Sequence, residues 1–204
     1  MRIRYCTGNN GKLIKKALIY TSGEHGISPS MVDADARRIL RRLKEHGHQA
    51  YIVGGAVRDL VLGKEPNDFD IVSDALPNRI KRIFGNSRII GKRFRLVHVY
   101  YGPKIYEVST FRSLEEGSIG NSFGNIDEDV LRRDFSCNAL YYDSEENILI
   151  DYVDGLGAIK KGRLKPIIAR KKIFTEDPVR MIRAIKYSCN TGLNLTDRKS
   201  TRLN

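Results

Sequence analysis

The sequence predicts a mixed α/β (α+β) fold in which a small mixed or antiparallel sheet is flanked by helices. In some segments apolar residues recur at three- and four-residue steps, which is typical of amphipathic helices. Other segments are short apolar runs bounded by glycine or polar residues, which is typical of strands. The chain has 204 residues, 41% of them hydrophobic, so it is long enough for one or two cores.

The first predicted helix and strand follow each other directly. A helix begins near Ser30, because the apolar residues between positions 36 and 43 have helical spacing. Residues 50–53 form an apolar strand that runs into Gly54 and Gly55, and residues 56–62 then form a short helix. This unit is a strand, a tight glycine turn and a helix.

The middle of the chain predicts two further strand regions. Residues 69–72 form one strand, and residues 77–84 form a helix with proline in its first turn. Residues 94–101 and 105–111 form two strands joined by a Gly-Pro turn at positions 102 and 103. This last pair predicts a hairpin.

The remaining segments return to helix and strand after a loop. Residues 113–125 are rich in glycine, serine and asparagine, which predicts a mobile loop. A helix over residues 127–133 and strands over 138–142 and 148–152 follow. From Thr175 the chain changes to helix, because a cap, acidic first-turn residues and an early proline precede an apolar pattern.

The charge of the chain favours a polyanionic partner. The formal net charge is +12 and the pI is about 9.7, with basic residues spread along the sequence. A basic surface without a specific partner is the open alternative. Charge therefore raises the question of nucleic-acid binding without answering it.

The composition also points to a compartment. No apolar run is long enough to cross a membrane and the N-terminus lacks the apolar centre of a signal peptide, so we expect a cytoplasmic protein without a membrane partner. The three cysteines are widely spaced and form no CxxC motif, which indicates neither a disulfide framework nor a zinc site.

An acidic pair is the central chemical signal. Asp68 and Asp70 are two residues apart in a predicted strand, so their carboxylates should share one face while Phe69 points to the apolar side. Hard oxygen ligands of this kind suit Mg²⁺ together with substrate phosphates. Two such ions would activate an attacking hydroxyl and stabilise a departing oxygen. A pair of aspartates alone is weak evidence, since strand-end turns often contain them.

The glycine turn gives a second signal. Gly54 and Gly55 before a short helix allow backbone N–H groups to approach a phosphate, and Arg58 can add a charged donor. A plain turn between strand and helix is the open alternative. The sequence here is neither a GxGxxG fingerprint nor a GxxxxGK[ST] loop, so those two nucleotide-binding classes lack their local signature.

Several ordered motifs resemble the class II tRNA nucleotidyltransferase and bacterial poly(A) polymerase family, over roughly residues 33–193. They cover residues 53–59 and 62–70, then 132–135 with 138–139, then 151–155, and finally 176–180 with 183–184. The resemblance implies a nucleotidyltransferase head followed by a helical neck. It places the catalytic head over residues 29–168 and the start of a truncated neck over residues 169–195. Residues 1–28 are polar and lack sustained periodicity, which predicts a flexible leader, and residues 196–204 end without a helix cap, which we interpret as a non-native tail.

The resemblance implies roles for particular residues. Asp68 and Asp70 would bind the metals, and Glu107 is the candidate for a third catalytic carboxylate. The structural alternative for Glu107 is an exposed strand glutamate.

Two further pairs would bind the nucleotide. Arg133 and Asp134 would contact the ribose and triphosphate, and a carboxylate near a 2′-hydroxyl would select ribonucleotides. Asp177 and Arg180, three residues apart, would meet the Watson–Crick edge of the base. An ion pair between helix residues is the open alternative for both pairs.

The segment over residues 90–99 resembles the poly(A) polymerase branch of the family. Within it Lys92, Arg93 and Arg95 could hold a triphosphate or an RNA backbone, with a solvated basic strand end as the alternative. The resemblance therefore implies template-independent addition of AMP from ATP to an RNA 3′ end, in mRNA or another RNA, by two Mg²⁺ ions with release of pyrophosphate. The alternatives are CCA addition to tRNA and an inactive RNA-binding fragment.

Overall fold

The computed structural model describes residues 1–7, 12–92, 95–114, 123–169, 173–175 and 177–195. Its strands are β1 (Arg2–Thr7), β2 (Leu13–Thr21), β3 (Ala50–Val53), β4 (Asp70–Ser73), β5 (Ser87–Ile90), β6 (Leu96–Tyr101), β7 (Lys104–Thr110), β8 (Leu140–Asp143), β9 (Ile148–Asp151), β10 (Arg163–Leu164) and β11 (Asn194–Leu195). Its helices are α1 (Ser22–His25), α2 (Ala34–Glu45), α3 (Gly55–Val61), α4 (Pro77–Ile83), α5 (Ile126–Arg132), α6 (Gly155–Lys160) and α7 (Val179–Thr191). Short 3₁₀ turns cover Pro29–Met31 and Ser136–Asn138.

One large sheet organises the molecule. Its nine strands have the order β1-β2-β9-β8-β3-β4-β7-β6-β5, and β10 and β11 form a separate two-stranded pair. Neighbours in the large sheet are antiparallel except β4 and β7, which are parallel. The predicted fold class, a mixed sheet with flanking helices, is confirmed, although the sheet has more strands than the sequence suggested.

The first core lies between the sheet and the helices of one face. The amphipathic helix α2 places Ile39, Leu40 and Leu43 in this core, where each is almost completely buried. Asp33 caps the helix by accepting hydrogen bonds from the backbone N–H groups at positions 35 and 36. Burial of three such side chains stabilises the domain by roughly 1.5–3 kcal/mol each.

The second core lies on the opposite face of the same strands. Successive residues of a strand alternate between the two faces, so Ile71 belongs to the first core and Val72 to the second. Val130 of α5 and Tyr141 of β8 complete this second core, where both are fully buried. The face with the second core is also the face of Asp70, because Asp70 is two residues from Val72.

The prediction of a flexible leader is wrong for the described part of residues 1–28. Strand β2 pairs with β9 through Leu18 and Asp151, and β1 pairs with β2. Ala17 and Leu18 are buried, so this segment is held by the sheet and its core. The start of the sequence is polar and contains glycine, so the short apolar run within β2 was not recognised as a strand.

Other differences are local. Strand β5 and helix α6 were not predicted, and α7 begins at Val179, a few residues later than expected. The predicted strand start at Phe94, most of the predicted loop and the predicted tail over residues 196–204 lie outside the described residues. In the part of the chain that the structure describes, none of the helices has the length and apolar character needed to span a membrane.

Helix α6 is anchored by a buried carboxylate. Asp151 accepts hydrogen bonds from the backbone N–H groups of Val153, Gly155 and Leu156 at 2.9–3.1 Å. Gly155 lies against the backbone of Ser136, so that a Cβ atom there would fall well inside contact distance of the Ser136 carbonyl oxygen. The close approach requires glycine at this position.

We expect Gly155→Ala to destabilise the fold by about 1–3 kcal/mol, because the added methyl group must displace the backbone of the 3₁₀ turn. Thermal unfolding followed by circular dichroism measures the change. Gly85→Ala is the matched control, since Gly85 has no heavy atom within 4 Å of the added Cβ position. Equal unfolding temperatures for the two variants would contradict the argument.

Candidate functional site

A polar cleft opens on the second-core face, where β4 begins. The glycine turn, the first residue of β4, the end of α5 and one side of α7 form its walls. Its lining residues are Gly54, Gly55, Asp70, Arg112, Arg132, Arg133, Asp134, Asn138, Arg180, Arg183 and Tyr187. Five arginines therefore surround one carboxylate of the predicted acidic pair.

The acidic pair lies at the start of β4. The strand begins at Asp70, and Asp68 stands in the preceding loop, so the prediction that both lie on a strand is wrong for Asp68. Phe69 packs against the first core, as its predicted apolar orientation requires. The side chains of Asp68 and Asp70 are both accessible to solvent.

Three carboxylates act on one another at this point. Val108 of β7 pairs with Ile71 of β4, so Glu107 and Asp70 precede paired residues on neighbouring strands and share a face. Enclosure by the cleft, together with the charges of Asp68 and Glu107, raises the pKa of Asp70 to about 6, against the opposing charge of Arg133. Asp70 keeps contact with solvent, so this enclosure is partial. Glu107 is half exposed and its Oε1 lies 3.5 Å from His98 Nε2.

The acidic residues fit a hard divalent cation. Like charges that raise the pKa of Asp70 are balanced when a cation binds between them. Among the residues that the structure describes, no three His, Cys, Asp or Glu side chains are gathered into a metal site. Mg²⁺ commonly takes only one or two carboxylates and completes its shell with water and substrate phosphates. Asp68 and Asp70 can supply that share of the ligands.

Gly54 shapes the floor of the cleft. Its backbone has φ 76° and ψ −136°, a conformation that favours glycine. A Cβ atom at this position would lie 3.5 Å from Asp70 Oδ2. The absence of a side chain at Gly54 therefore leaves the Asp70 carboxylate open to the cleft, and Gly55 then starts helix α3.

Arg58 lies behind the wall of the cleft. Its Nε and Nη2 donate to the carboxylate of Asp59 at 2.9 and 3.0 Å, and its Nη1 donates to Asn138 Oδ1 at 2.9 Å. Its guanidinium also lies 5.3 Å from the ring centre of Tyr187. These contacts make Arg58 a support for two lining residues, while its predicted contact with phosphate stays a prediction.

Asp129 anchors the arginines of one wall. Its Oδ1 accepts from Arg112 Nε at 3.2 Å, and its Oδ2 accepts from Arg133 Nη2 and the Tyr141 hydroxyl, both at 2.8 Å. Burial alone would raise the pKa of Asp129, but the charges of Arg133 and Arg112 hold it below its ordinary value. Its side chain is 1% exposed and that of Arg133 is 12% exposed, while that of Arg112 is 48% exposed. The network is therefore centred on a buried carboxylate and reaches solvent at Arg112.

The predicted ribose-contacting pair lies beside this network. The guanidinium of Arg133 is stacked 5.3 Å from the ring centre of Tyr141. Asp134 Oδ1 accepts from the backbone N–H of Phe135 at 2.8 Å and from Asn138 Nδ2 at 3.4 Å. Both predicted residues line the cleft, together with Asn138.

The predicted base-contacting pair is divided between the cleft and the start of α7. Arg180 lines the cleft, and its Nε lies 3.6 Å from Asp177 Oδ2. Asp177 also accepts from the backbone N–H of Val179 at 3.1 Å. Arg183, one turn further along α7, lies 3.7 Å from Asp134 Oδ2. The ion pair that the sequence left as an alternative is therefore present.

The predicted basic segment is only partly described. Lys92 and Arg95 are exposed, and Arg93 lies outside the described residues. Neither Lys92 nor Arg95 is among the described residues that line the cleft. Their contact with phosphate or RNA stays a prediction.

Sequence reasoning missed several contributors to the cleft. Asp129 stands four residues before Arg133 in a predicted helix, a spacing that could have indicated their pairing. Arg112 and Tyr187 gave no such local signal, because their positions depend on contacts between distant segments. Among the described residues, Arg112, Asp129 and Tyr187 were missed altogether. Arg132, Asn138 and Arg183 lie within the motifs of the family resemblance but received no predicted role.

Comparison with known proteins relates this geometry to a family. Residues 50–165, more than half of the chain, match the family described as the poly A polymerase head domain. Poly(A) polymerase I from Escherichia coli O6:H1 is 39% identical over 189 residues, which cover 85% of this chain and 41% of that protein. A CCA-adding enzyme from Leuconostoc mesenteroides is 38% identical over 167 residues, which cover 79% of this chain and 41% of that protein.

A solved structure agrees with these matches. The crystal structure of Bacillus stearothermophilus CCA-adding enzyme in complex with CTP has a TM-score of 0.73 and 36% identity, over 81% of this chain and 41% of that chain. The chain thus spans about two fifths of the length of the relatives it matches. The matched residues 50–165 include Gly54, Asp70 and Arg133 of the cleft lining. The chain therefore belongs to the poly(A) polymerase head-domain family of nucleotidyltransferases.

Proposed function

We propose that the chain is the catalytic part of a poly(A) polymerase that adds AMP from ATP to RNA 3′ ends and releases pyrophosphate. One observation supports the proposal above all. Asp70 lines the same cleft as five arginines, and the carboxylates of Asp68 and Glu107 lie beside it. Carboxylates on one side suit metal ions, and arginines on the other suit the phosphates of a nucleoside triphosphate. Nucleotidyl transfer requires both at one place.

The proposed chemistry is in-line attack of the RNA 3′-hydroxyl on the α-phosphate. Mg²⁺ held by Asp68 and Asp70, with Glu107 beside them, would activate the attacking hydroxyl and stabilise the departing oxygen. Arg112 and Arg133 are fixed by Asp129, so they can hold the triphosphate without reorganising. Gly54 leaves room for the substrate to approach the carboxylate of Asp70.

Selection of the nucleotide would depend on α7 and on Asp134. Arg180 lines the cleft and is paired with Asp177, so a planar donor and a nearby acceptor can meet the edge of a base. Asp134 is 7% exposed and lines the same cleft, where its carboxylate can accept a hydrogen bond from a ribose hydroxyl. The protein itself, and not a template strand, would then select the nucleotide.

CCA addition to tRNA is the second candidate. Relatives of both names match the chain at similar identity, and one matched structure contains CTP. We prefer poly(A) addition because the segment over residues 90–99 resembles that branch. The RNA would accordingly be mRNA or another 3′ end, and tRNA under the second candidate, in a cytoplasmic setting.

An inactive RNA-binding fragment is the candidate from another class. Helix α7 carries an exposed apolar face, with Ile182 and Ile185 exposed by 69% and 66%. Exposed apolar surface of this kind marks an interaction site or an aggregation hazard. An activity assay on the chain as it stands separates this candidate from the two enzymes.

The first assay is incubation with a short labelled RNA, Mg²⁺ and each nucleoside triphosphate in turn. We expect long tails with ATP alone, since one cleft would accept the same base in every cycle. Short additions that depend on CTP would favour the CCA-adding enzyme. Absence of extension with every nucleotide, in a folded sample, would favour the inactive fragment.

Removal of the acidic pair is a sharper test of the chemistry. We expect Asp70→Asn, and Asp68→Asn separately, to reduce kcat by at least about a thousandfold, because a metal-binding carboxylate becomes neutral. Glu45→Gln is the control, since Glu45 is an exposed carboxylate at the end of α2. Retention of most activity in Asp70→Asn would exclude the proposed mechanism.

Asp129→Asn tests the arginine wall. We expect a loss of about 3 kcal/mol in folding free energy, because the largely buried guanidinium of Arg133 loses its counter-charge while that of Arg112 is half exposed, and a raised KM for ATP. The lowered pKa of Asp129 in the folded chain means that its ionised form contributes stability above about pH 4, and that this contribution is lost as the pH falls further. The variant should therefore be less sensitive to acid than the wild type.

Denaturant unfolding at neutral and acid pH, together with ATP titrations, measures these effects. Asp127→Asn is the matched control on the same helix, since Asp127 forms a partly exposed pair with Lys16. If both variants lose the same stability and keep the same KM, then Asp129 does not organise the wall.

A further inference from the structure

The N-terminal β-hairpin, formed by β1 and β2, is strongly basic. Residues 1–21 contain five basic side chains and no acidic one. The basic residues are Arg2, Arg4, Lys12, Lys15 and Lys16. Four of them are exposed, and Lys16 is half-buried and paired with Asp127 of α5. Neither the catalytic cleft nor the sheet core accounts for this concentration of charge.

The register of the sheet connects this hairpin to the catalytic strand. Asp70 pairs with Val53, which pairs with Tyr141 of β8. From Tyr141 the row continues through Ile150 and Ile19 to Arg2. Paired residues share a face of the sheet, so Arg2 stands on the face of Asp70. Five strand spacings of about 4.8 Å place it roughly 24 Å from Asp70.

Arg4 continues the same basic face. It is two residues from Arg2 and pairs with Ala17, which is buried in the second core. Its charge acts on Tyr51 and Tyr152, which pack against that core. Both arginines of β1 therefore face the side on which the cleft opens.

The direction of the strands places the free part of the hairpin at the catalytic end. Each of the four steps from β2 through β9, β8 and β3 to β4 is antiparallel, so β2 and β4 run the same way. Residues 13–17 precede Leu18, the first residue of β2 that pairs with β9. Of these, Leu13, Ile14 and Lys15 are exposed and lie beyond the part of β2 that pairs with β9, at the end where β4 begins with Asp70, while Ala17 packs in the second core.

This outer part of the hairpin combines basic side chains with exposed aromatic and aliphatic side chains. Tyr5 is 51% exposed, and Leu13 and Ile14 are exposed by 71% and 52%. Tyr5 pairs with Lys15 across the two strands. Basic side chains interleaved with an exposed aromatic ring match the backbone and bases of a single-stranded nucleic acid, which binds by charge and by stacking.

We propose that the N-terminal β-hairpin binds the phosphate backbone of the RNA substrate upstream of its 3′ end. The inference rests on the proposed function only for the identity of the partner, since the charge, the face and the direction of the hairpin are independent of it. A separation of roughly 24 Å corresponds to about seven stacked nucleotides. The hairpin therefore contacts a long RNA and does not reach the backbone of a very short one.

The test compares two triple variants of the full chain that lose the same charge. Arg2→Gln/Arg4→Gln/Lys15→Gln neutralises the hairpin. Arg38→Gln/Arg79→Gln/Arg82→Gln is the matched control, because these exposed residues lie on α2 and α4, which cover the opposite face. Fluorescence anisotropy measures binding of unstructured single-stranded RNAs of about 20 and about 4 nucleotides over a range of salt concentrations.

We expect the hairpin variant to bind the long RNA about tenfold or more weakly at ~0.1 M salt, with a salt slope smaller by about 2. Its binding of the short RNA and its addition of a single nucleotide to that RNA should stay unchanged. The control variant should show a much smaller loss. Equal losses in the two variants, or an equal loss for both RNA lengths, would overturn the proposal.

Three further outcomes separate the partner from the function. If a poly-glutamate peptide or vesicles of anionic lipid depend on the hairpin as strongly as the long RNA does, the surface is not an RNA site and the proposal fails. If the wild type adds no nucleotide to any RNA while long RNA still binds through the hairpin, the proposed function fails and the RNA surface stands. If the wild type extends RNA normally and both triple variants bind RNA equally well, the proposed function stands and the RNA surface fails.

Discussion

The buried carboxylate of Asp129 is the contact on which the cleft depends. Two arginines from different segments, Arg112 and Arg133, converge on its oxygens, and the Tyr141 hydroxyl binds the same group. An isolated buried carboxylate would be costly, and the largely buried guanidinium of Arg133 would be costly without a counter-charge, whereas Arg112 is half exposed. The ion pairs offset both of these costs. Their mutual neutralisation lets the chain keep a cationic wall fixed over the second core.

This wall faces a second concentration of charge, with the opposite sign. Asp68, Asp70 and Glu107 lie close enough for their charges to raise the pKa of Asp70, and only Arg133 opposes that effect. The strand pairing holds the backbones of Asp70 and Glu107 side by side, so the two carboxylates project from neighbouring positions on one face. The fold thus maintains a polarised site whose unbalanced groups suit metal ions on one side and phosphates on the other.

The sequence predicted the features that arise from local patterns. The short apolar runs gave β3, β4, β6, β7, β8 and β9, because alternation and β-branched composition operate within a strand. The close spacing of Asp68 and Asp70 was visible for the same reason. By contrast, β1 and β2 depend on pairing with β9, which lies more than a hundred residues further along the chain. A segment that is stabilised mainly by a distant partner carries little local signal.

The position of Arg58 shows the same limit for side chains. Its place after the glycine turn predicted a phosphate ligand, since a helix start and a guanidinium both suit anions. The alternative partners, Asn138 and Tyr187, come from segments that no sequence pattern links to Arg58. Residue type therefore indicated a charged group near the site, while long-range packing decided which groups it contacts.

Those packing contacts also determine how the helix of the proposed base-contacting residues is held. Helix α7 carries Arg180, yet its exposed apolar face contributes nothing to holding it in the described chain. The helix is held by Ala184, which is buried in the first core, and by Tyr187, whose ring meets Phe135 edge to face at 5.8 Å and lies under Arg58. Arg58 in turn lies one helical turn after Gly54. The lack of a side chain at Gly54 keeps Asp70 accessible. A single chain of contacts thus connects the residue that would read the base to the residue that would hold the metal. Small displacements of α7 should therefore alter nucleotide choice and catalytic geometry together, because Arg58 contacts both Tyr187 of α7 and Asn138 of the cleft.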